Sequence, residues 1–303
     1  MVNLMTIIPR RYCLLNFIFA LGIFGAGCAL TANQKMAVSQ FSESAVTLGD
    51  TTTSEVRVMR DTTVKMNIAR LILGGKSADK RLGDQTSLDR GFDFDRVQIV
   101  TGATQALAAY GRTLLALVAD TQSSELQAAS NEFVASFSRI PNVNSQLSDQ
   151  QLKAIGTAIQ EVGGLWIEWK RRKAVTTIVK ESEQAVDKLC DLVIQDFGEK
   201  GWVRLQLQVI QDPLMAAATN TLFDARTSSD RAVASPALQL LHDNRMRRSE
   251  VLSRITNGAQ AMKAANKALL QAVENPEWSL QDIHDFPTRA HSLQTAVRTI
   301  VNK

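Results

Sequence analysis

The chain has 303 residues, of which 45% are apolar, 21% charged and 6% aromatic, with 16 glycines, 6 prolines and a formal charge of +4. These proportions exclude a collagen-like, low-complexity or disordered chain and allow a sizeable buried core. Three cysteines (Cys13, Cys28, Cys190) exclude a disulfide scaffold, and three histidines (His242, His284, His291) exclude a histidine-rich metal centre.

The N-terminus reads as an export signal. Arg10 and Arg11 precede an apolar stretch over 14–24, and the small residues Gly25-Ala26-Gly27 then lead to Cys28. This order resembles the bacterial lipoprotein signal peptide, in which a cysteine after small residues becomes the lipidated first residue of the mature protein. The resemblance implies a signal peptide over 1–27, palmitate-type acylation at Cys28, and a lipid-anchored place in the bacterial cell envelope. Ala29-Leu30 carries no acidic residue of the kind that retains similar Gram-negative proteins at the inner membrane, so the outer membrane is the implied destination. Two plainer readings of the same residues stand beside it. The segment is an ordinary signal cut after Gly27, or residues 12–30 stay as an uncleaved anchor, long enough to span a bilayer.

Removal of 1–27 takes away two arginines and no acid, leaving 32 basic and 30 acidic residues, a net charge of +2. No later stretch of eighteen residues is apolar without a charge, since the best of them, 101–119, contains Arg112. The small net charge and the export signal argue against nucleic acid as a partner.

Residues 28–37 read as a lipid-anchored polar lead, and 38–303 as a single all-helical domain. From Phe41 the chain keeps three–four spacing through Ala45, Leu48, Thr52, Glu55, Met59, Thr62, Met66, Ala69 and Leu73, with Gly74-Gly75 as the stop. Residues 76–93 read as a polar loop. A second helix is expected over 95–140, with Val100, Leu107, Leu114, Phe133 and Ile140 in its stripe and a polar patch at 121–124 that marks a kink or break. Ser148 and Gln151 form a capping box opening a third helix, whose stripe of Ile155, Ile159, Val162, Trp166 and Trp169 stops at Lys170-Arg171-Arg172-Lys173 and resumes out of phase from Val175 to Phe197. A fourth segment from Trp202 to Arg226 is interrupted by Pro213. A fifth starts near Pro236 and runs to Asn275-Pro276, and a last short helix follows the Ser279–Asp282 cap. The fold class is therefore all-α, an elongated antiparallel bundle with coiled-coil-like long helices.

The sequence carries no nucleophile elbow, zinc-protease helix, P-loop or dinucleotide loop. Cys190, between Leu189 and Val193, reads as a small buried hydrophobe. His284 and His291, and His242-Asp243 beside Arg245, Arg247 and Arg248, read as solvated helix faces, the latter with an anion-binding patch as its second reading. The most unusual composition is the run from Gly163 to Lys173. Trp166 and Trp169 followed by Lys170, Arg171, Arg172 and Lys173 form a candidate interaction surface of interfacial character. Against it stands a core reading, in which both tryptophans continue the seam of Val162 and the cations face water. Gly163-Gly164 and the phase change predict a structural transition in this segment, with all four cations exposed.

The sequence thus points to a lipid-anchored envelope protein acting as a binding or spacer module, without enzymatic activity, cofactor or metal. Its expected partners are the membrane, through the lipid, and a protein of the envelope. A membrane-active, pore-forming or remodelling protein is the alternative, and an envelope enzyme without a recognisable motif ranks last. The signal predicts that Cys28→Ser leaves the protein unanchored or unprocessed, and that mass spectrometry of the isolated protein finds a lipid on Cys28. An intact Met1 or a lipid-free mature N-terminus would overturn that expectation.

Overall fold

The computed structural model describes residues 29–74, 88–89, 91–92, 94–119, 123–138, 140, 147–162, 168–275, 283 and 285–301. Of these, 92% are helical and none lies in a strand, so the protein is all-α. Cys28 and the whole signal-like segment lie outside the described residues, as do most of the 76–93 loop and Ser279 and Asp282. None of the described helices is long and apolar enough to cross a membrane.

Helix α1 spans Ala32–Gly74, 43 residues, about 65 Å at 1.5 Å per residue. Its start corrects the expected polar lead. Thr31 and Gln34 cap it reciprocally, the Gln34 amide N–H donating to Thr31 Oγ1 at 3.2 Å and the Thr31 N–H to Gln34 Oε1 at 2.9 Å. The Gln34 side-chain amide then donates to the Ala272 carbonyl at 2.7 Å, so this end of the chain is docked on the body rather than paid out as a spacer. The stripe read from the sequence is the buried one: Phe41, Ala45, Leu48, Thr52, Glu55, Met59 and Met66 are all inside.

Helices α2 (Phe94–Val118) and α3 (Ser123–Ser138) divide what was expected as one helix over 95–140. One helix ends at Val118 and the next begins at Ser123, within the polar patch. Arg112 on α2 meets Glu132 on α3 at 2.7 Å, and Thr113 donates to the Ala129 carbonyl at 3.0 Å, the pairing of an antiparallel hairpin. Helices α4 (Asp149–Val162) and α5 (Glu168–Phe197) likewise divide the expected third helix. The predicted capping box is present, with Gln151 N–H on Ser148 Oγ at 3.3 Å. Lys173–Glu161 at 2.9 Å and Gln151 to the Glu181 carbonyl at 3.0 Å show that α4 and α5 run antiparallel; residues 163–167 of the expected transition lie outside the described residues.

Helix α6 (Trp202–Asp224) continues through Pro213, contrary to the expected interruption. Proline costs one intrahelical hydrogen bond, and the buried residues on either side, Ile210 and Leu214, hold the helix together across it. Helix α7 (Ser228–Met246) begins a full turn and more before the expected Pro236, passes into a π-helical turn at Arg247–Val251, and continues as α8 (Leu252–Glu274). Helix α9 spans Asp285–Val301.

α1 is the spine, touching α2, α6, α7, α8 and α9, in place of a single coiled-coil partner. Two glycines set the closest approach, with α1 and α2 antiparallel. A Cβ on Gly49 would stand 2.4 Å from the Thr104 carbonyl oxygen, and one on Gly111 would stand 2.6 Å from that of Ser42. One turn beyond Gly49, the Thr53 and Thr104 hydroxyls share a hydrogen bond of 2.7 Å. Deeper in, the buried Tyr110 hydroxyl donates to Asn266 Oδ1 at 2.8 Å, fixing α2 against α8. At the α5–α6 corner Arg96 pairs with the buried Asp196 and lies over the Trp202 ring, 5.8 Å from its centroid.

Two expectations follow from this packing. Gly49→Val drives a branched side chain into the α2 backbone and should lower unfolding stability by about 3 kcal/mol. Gly156→Ala, with nothing within 4 Å of the new Cβ, should raise it by about 0.5–1 kcal/mol; urea unfolding of both variants checks the pair. Burial, partly opposed by Arg96, raises the Asp196 carboxyl above its ordinary range. The native state therefore holds that proton better than the unfolded chain. Stability should fall as pH rises from about 4 toward the raised value, and Asp196→Asn should flatten that part of the urea midpoint–pH curve.

Candidate functional site

The least regular part of the described chain is the π-helical turn at Arg247–Val251. One extra residue in the turn changes the phase of the helix, and such turns occur often at functional sites. On the inner side Arg247 is turned into the core, where its Nη1 lies 2.5 Å from Glu55 Oε2. Glu55 is 1% exposed and Arg247 7%, so the pair is almost fully desolvated. The buried Asn244 one turn earlier donates to the Leu207 carbonyl at 3.3 Å, with Gln211 beside it at 3.5 Å. A polar seam therefore joins α1, α6 and α7 beneath the turn.

On the outer side the same turn borders a groove of about 500 Å³ between α7–α8 and α9. His242, Asp243, Met246, Glu250 and Arg254 form one wall, and Thr295, Ala296, Thr299 and Ile300 belong to the other. Arg254 Nη2 is 3.3 Å from Glu250 Oε2. The Thr295 and Thr299 hydroxyls donate to carbonyls of their own helix at 3.0 and 2.9 Å, which leaves their lone pairs toward any occupant. The groove thus offers an apolar floor, an ion pair, an imidazole and hydroxyl acceptors, the make-up of a small-ligand site. His242-Asp243 read from sequence as a solvated face; His242 is exposed, but the two residues line a cleft. Arg247, grouped with them, faces the opposite way.

The candidate surface at the start of α5 is brought together in part. Trp166 lies outside the described residues. Trp169 is 47% exposed, which overturns the core reading for that residue. It lines a second groove, of about 450 Å³, with Arg172, Lys173, Val273 and Glu274, where α5 meets the end of α8. Lys170 is half-buried and Lys173 exposed. Arg171 corrects the expectation of four exposed cations: it is 3% exposed and pairs with Glu168 at 3.3 Å, because it falls on the same face as the buried Ala174, Val175 and Ile178.

Cys190 is fully buried, and burial raises its thiol well above the ordinary range, assisted by Asp187 and Asp191, so it is no nucleophile at neutral pH. His291 is exposed on α9 and His284 lies outside the described residues. Among the described residues there is no group of three or more histidine, cysteine, aspartate or glutamate side chains placed to hold a metal ion. Comparison with known protein families, with characterised proteins and with solved structures finds no match for this chain.

The inner half of the site makes a sharp energetic expectation. Arg247→Met strands a buried carboxylate and should cost about 3–5 kcal/mol of unfolding stability, whereas the double variant Arg247→Met with Glu55→Leu should regain most of it. A double-mutant cycle read by urea unfolding measures both.

Proposed function

We propose that this chain is a lipid-anchored helical protein of the bacterial cell envelope that works by binding and as a spacer, with the groove at the π-turn as its binding site. One observation carries the binding part. The same five-residue turn that spends a desolvated ion pair on its inner side shapes a cleft of ligand size on its outer side. An irregularity of that cost, held in place by the fold, is characteristic of functional sites. Binding rather than catalysis is favoured because Arg254 and Glu250 pair with one another, and the hydroxyls of α9 donate to their own backbone. The anchoring part rests on the order Arg10-Arg11, apolar stretch, Gly25-Ala26-Gly27-Cys28, with the outer membrane as the destination. An elongated body, with an envelope protein met at a distance from the anchor, belongs to the same reading.

Trp169 supports a second reading. An exposed tryptophan sharing a groove with Arg172 and Lys173 suits the boundary of an anionic membrane, the arrangement of a membrane-active protein. Leakage from phosphatidylglycerol-containing vesicles separates the two readings.

The test of the first uses 1-anilinonaphthalene-8-sulfonate, whose apolar rings and single anionic group match the floor of the groove and Arg254. Saturable fluorescence enhancement is expected with the full chain, and Ala296→Trp, which fills the groove, should weaken it at least tenfold. Unchanged titration of that variant, with native circular dichroism, would remove the groove from the proposal.

A further inference from the structure

Helix α6 is apolar on both of its sides. Val203, Leu207, Ile210, Leu214 and Ala218 are buried against the core. Leu205, Val209, Met215, Leu222 and Phe223 are exposed, Phe223 at 84%. Eleven large hydrophobic side chains are exposed among the described residues, and five of them belong to this one helix. Single exposed leucines need no explanation, but a row of them along one helix does.

The row has an internal symmetry. Leu205, Val209, Pro213, Ala216, Asn220 and Phe223 follow one another at helical spacing, and all six are exposed. Read from either end it is nearly the same row: Leu205 answers Phe223, Val209 answers Asn220, and Pro213 answers Ala216, about a centre between residues 214 and 215. Large side chains stand at its ends and small ones at its middle. From 205 to 223 the helix carries one charge, Asp212, so the surface is matched to an apolar partner and not to a strongly charged one.

Pro213 adds an independent observation. It has no N–H, so the Val209 carbonyl lacks the donor that the next helical turn would supply. Pro213 is exposed, which places that acceptor on the outer side. When two such rows are laid antiparallel about the centre, the carboxamide of Asn220 from one copy stands opposite Val209 of the other. The symmetry then gives two hydrogen bonds, each from an Asn220 side-chain amide to a Val209 carbonyl. Lipid hydrocarbon would leave both groups unpaired, which an apolar medium penalises.

We propose that two copies of this chain associate through their α6 outer faces, antiparallel, with a two-fold axis between residues 214 and 215. The interface is isologous, the commonest way a chain closes on itself. A single helix face of this length buries on the order of a few hundred Å² per copy, at the low end for specific association, so a weak, reversible dimer is expected. The pairing stands or falls independently of the groove at the π-turn and of the lipid anchor.

The test places one cysteine near the axis in the full chain, oxidised in whole expressing cells wherever the protein resides. Ala216→Cys, beside its own symmetry mate, should give a dimer of twice the chain mass on mild oxidation. Gln184→Cys, exposed on α5 and away from this face, is the control and should not. Adding Val209→Asp to the Ala216→Cys chain should reduce the dimer at least tenfold, and adding Asn220→Ala should reduce it by a smaller factor. Val209 is 62% exposed, so circular dichroism should be unchanged by its replacement. Equal cross-linking at 216 and 184, no cross-linking at 216, or a dimer indifferent to Val209→Asp would overturn the proposal. So would cross-linking of Ala216→Cys to a different protein, which would put another occupant on the face.

Discussion

Glu55 and Arg247 lie 2.5 Å apart with almost no access to water, and the course of half the chain is tied to that contact. Before the pair, α7 presents Ala234, Ala237, Leu241 and Asn244 to the body; after it, α8 presents Ile255, Gly258, Ala259 and Met262. The two stripes keep three–four spacing through Arg247 and Val251, so one face of the continuous rod looks inward along its length. Arg247 belongs to that face, and Glu55 fixes where the rod meets α1. The ion pair is therefore a registration device as much as a source of stability, since a buried pair contributes little net energy but makes every misregistered arrangement expensive.

The same logic of close fit governs the spine. α1 approaches α2 so nearly that Gly49 and Gly111 each face backbone atoms of the opposing helix. Gly258 on α8 meets the Leu48 side chain at 2.8 Å from its would-be Cβ, so the third partner is also set by a missing side chain. Larger residues fill the space these approaches leave. Phe41 packs edge-on to Tyr110 with centroids 5.9 Å apart and meets Phe286 at 5.4 Å, linking α1, α2 and α9. Several polar groups drawn into this core pair with one another: Tyr110 with Asn266, Thr53 with Thr104. Unpaired, each would cost more than its hydrogen bond contributes.

How much of this could be read from the sequence depends on which force decides each feature. Hydrophobic periodicity marked the buried face of α1 down to Glu55, whose inclusion in an apolar stripe was the trace of the ion pair. The Ser148–Gln151 box marked the start of α4, since a reciprocal cap is a local interaction between neighbours in sequence. Thr31 and Gln34 form the same kind of box and were hidden by the polar residues around them. The division between α2 and α3 follows the local polar signal, whereas the passage of α6 through Pro213 is decided by tertiary packing, which outweighs the proline penalty. Arg171 looked like one of four solvated cations, yet helix phase put it on the buried side, with Lys170 and Arg172 half-buried and Lys173 exposed. The π-turn has no sequence signature at all. The three–four spacing of buried residues runs through 247–251 as it would through a regular helix, so nothing local marks the turn. That is why the groove it shapes was legible as no more than a histidine–aspartate pair among arginines.

The seams between helices differ in a way that separates closed sides from open ones. Arg112 bridges Asp50 and Glu132 across α1, α2 and α3; Lys173 meets Glu161 across α4 and α5; Lys263 meets Asp191 at 2.7 Å across α5 and α8. Such pairs contribute little stability individually, but they place hydrated charge over each joint and make a further apolar neighbour unwelcome. α6 is finished differently. Its outer row from Leu205 to Phe223 has no such charge laid across it, and the carbonyl freed by Pro213 lies on that side. A helix apolar all round belongs in an interior. On a body with several of its joints covered by charge, the face of α6 is where apolar surface is left open, and an apolar, helical surface like α6 itself would complete its burial.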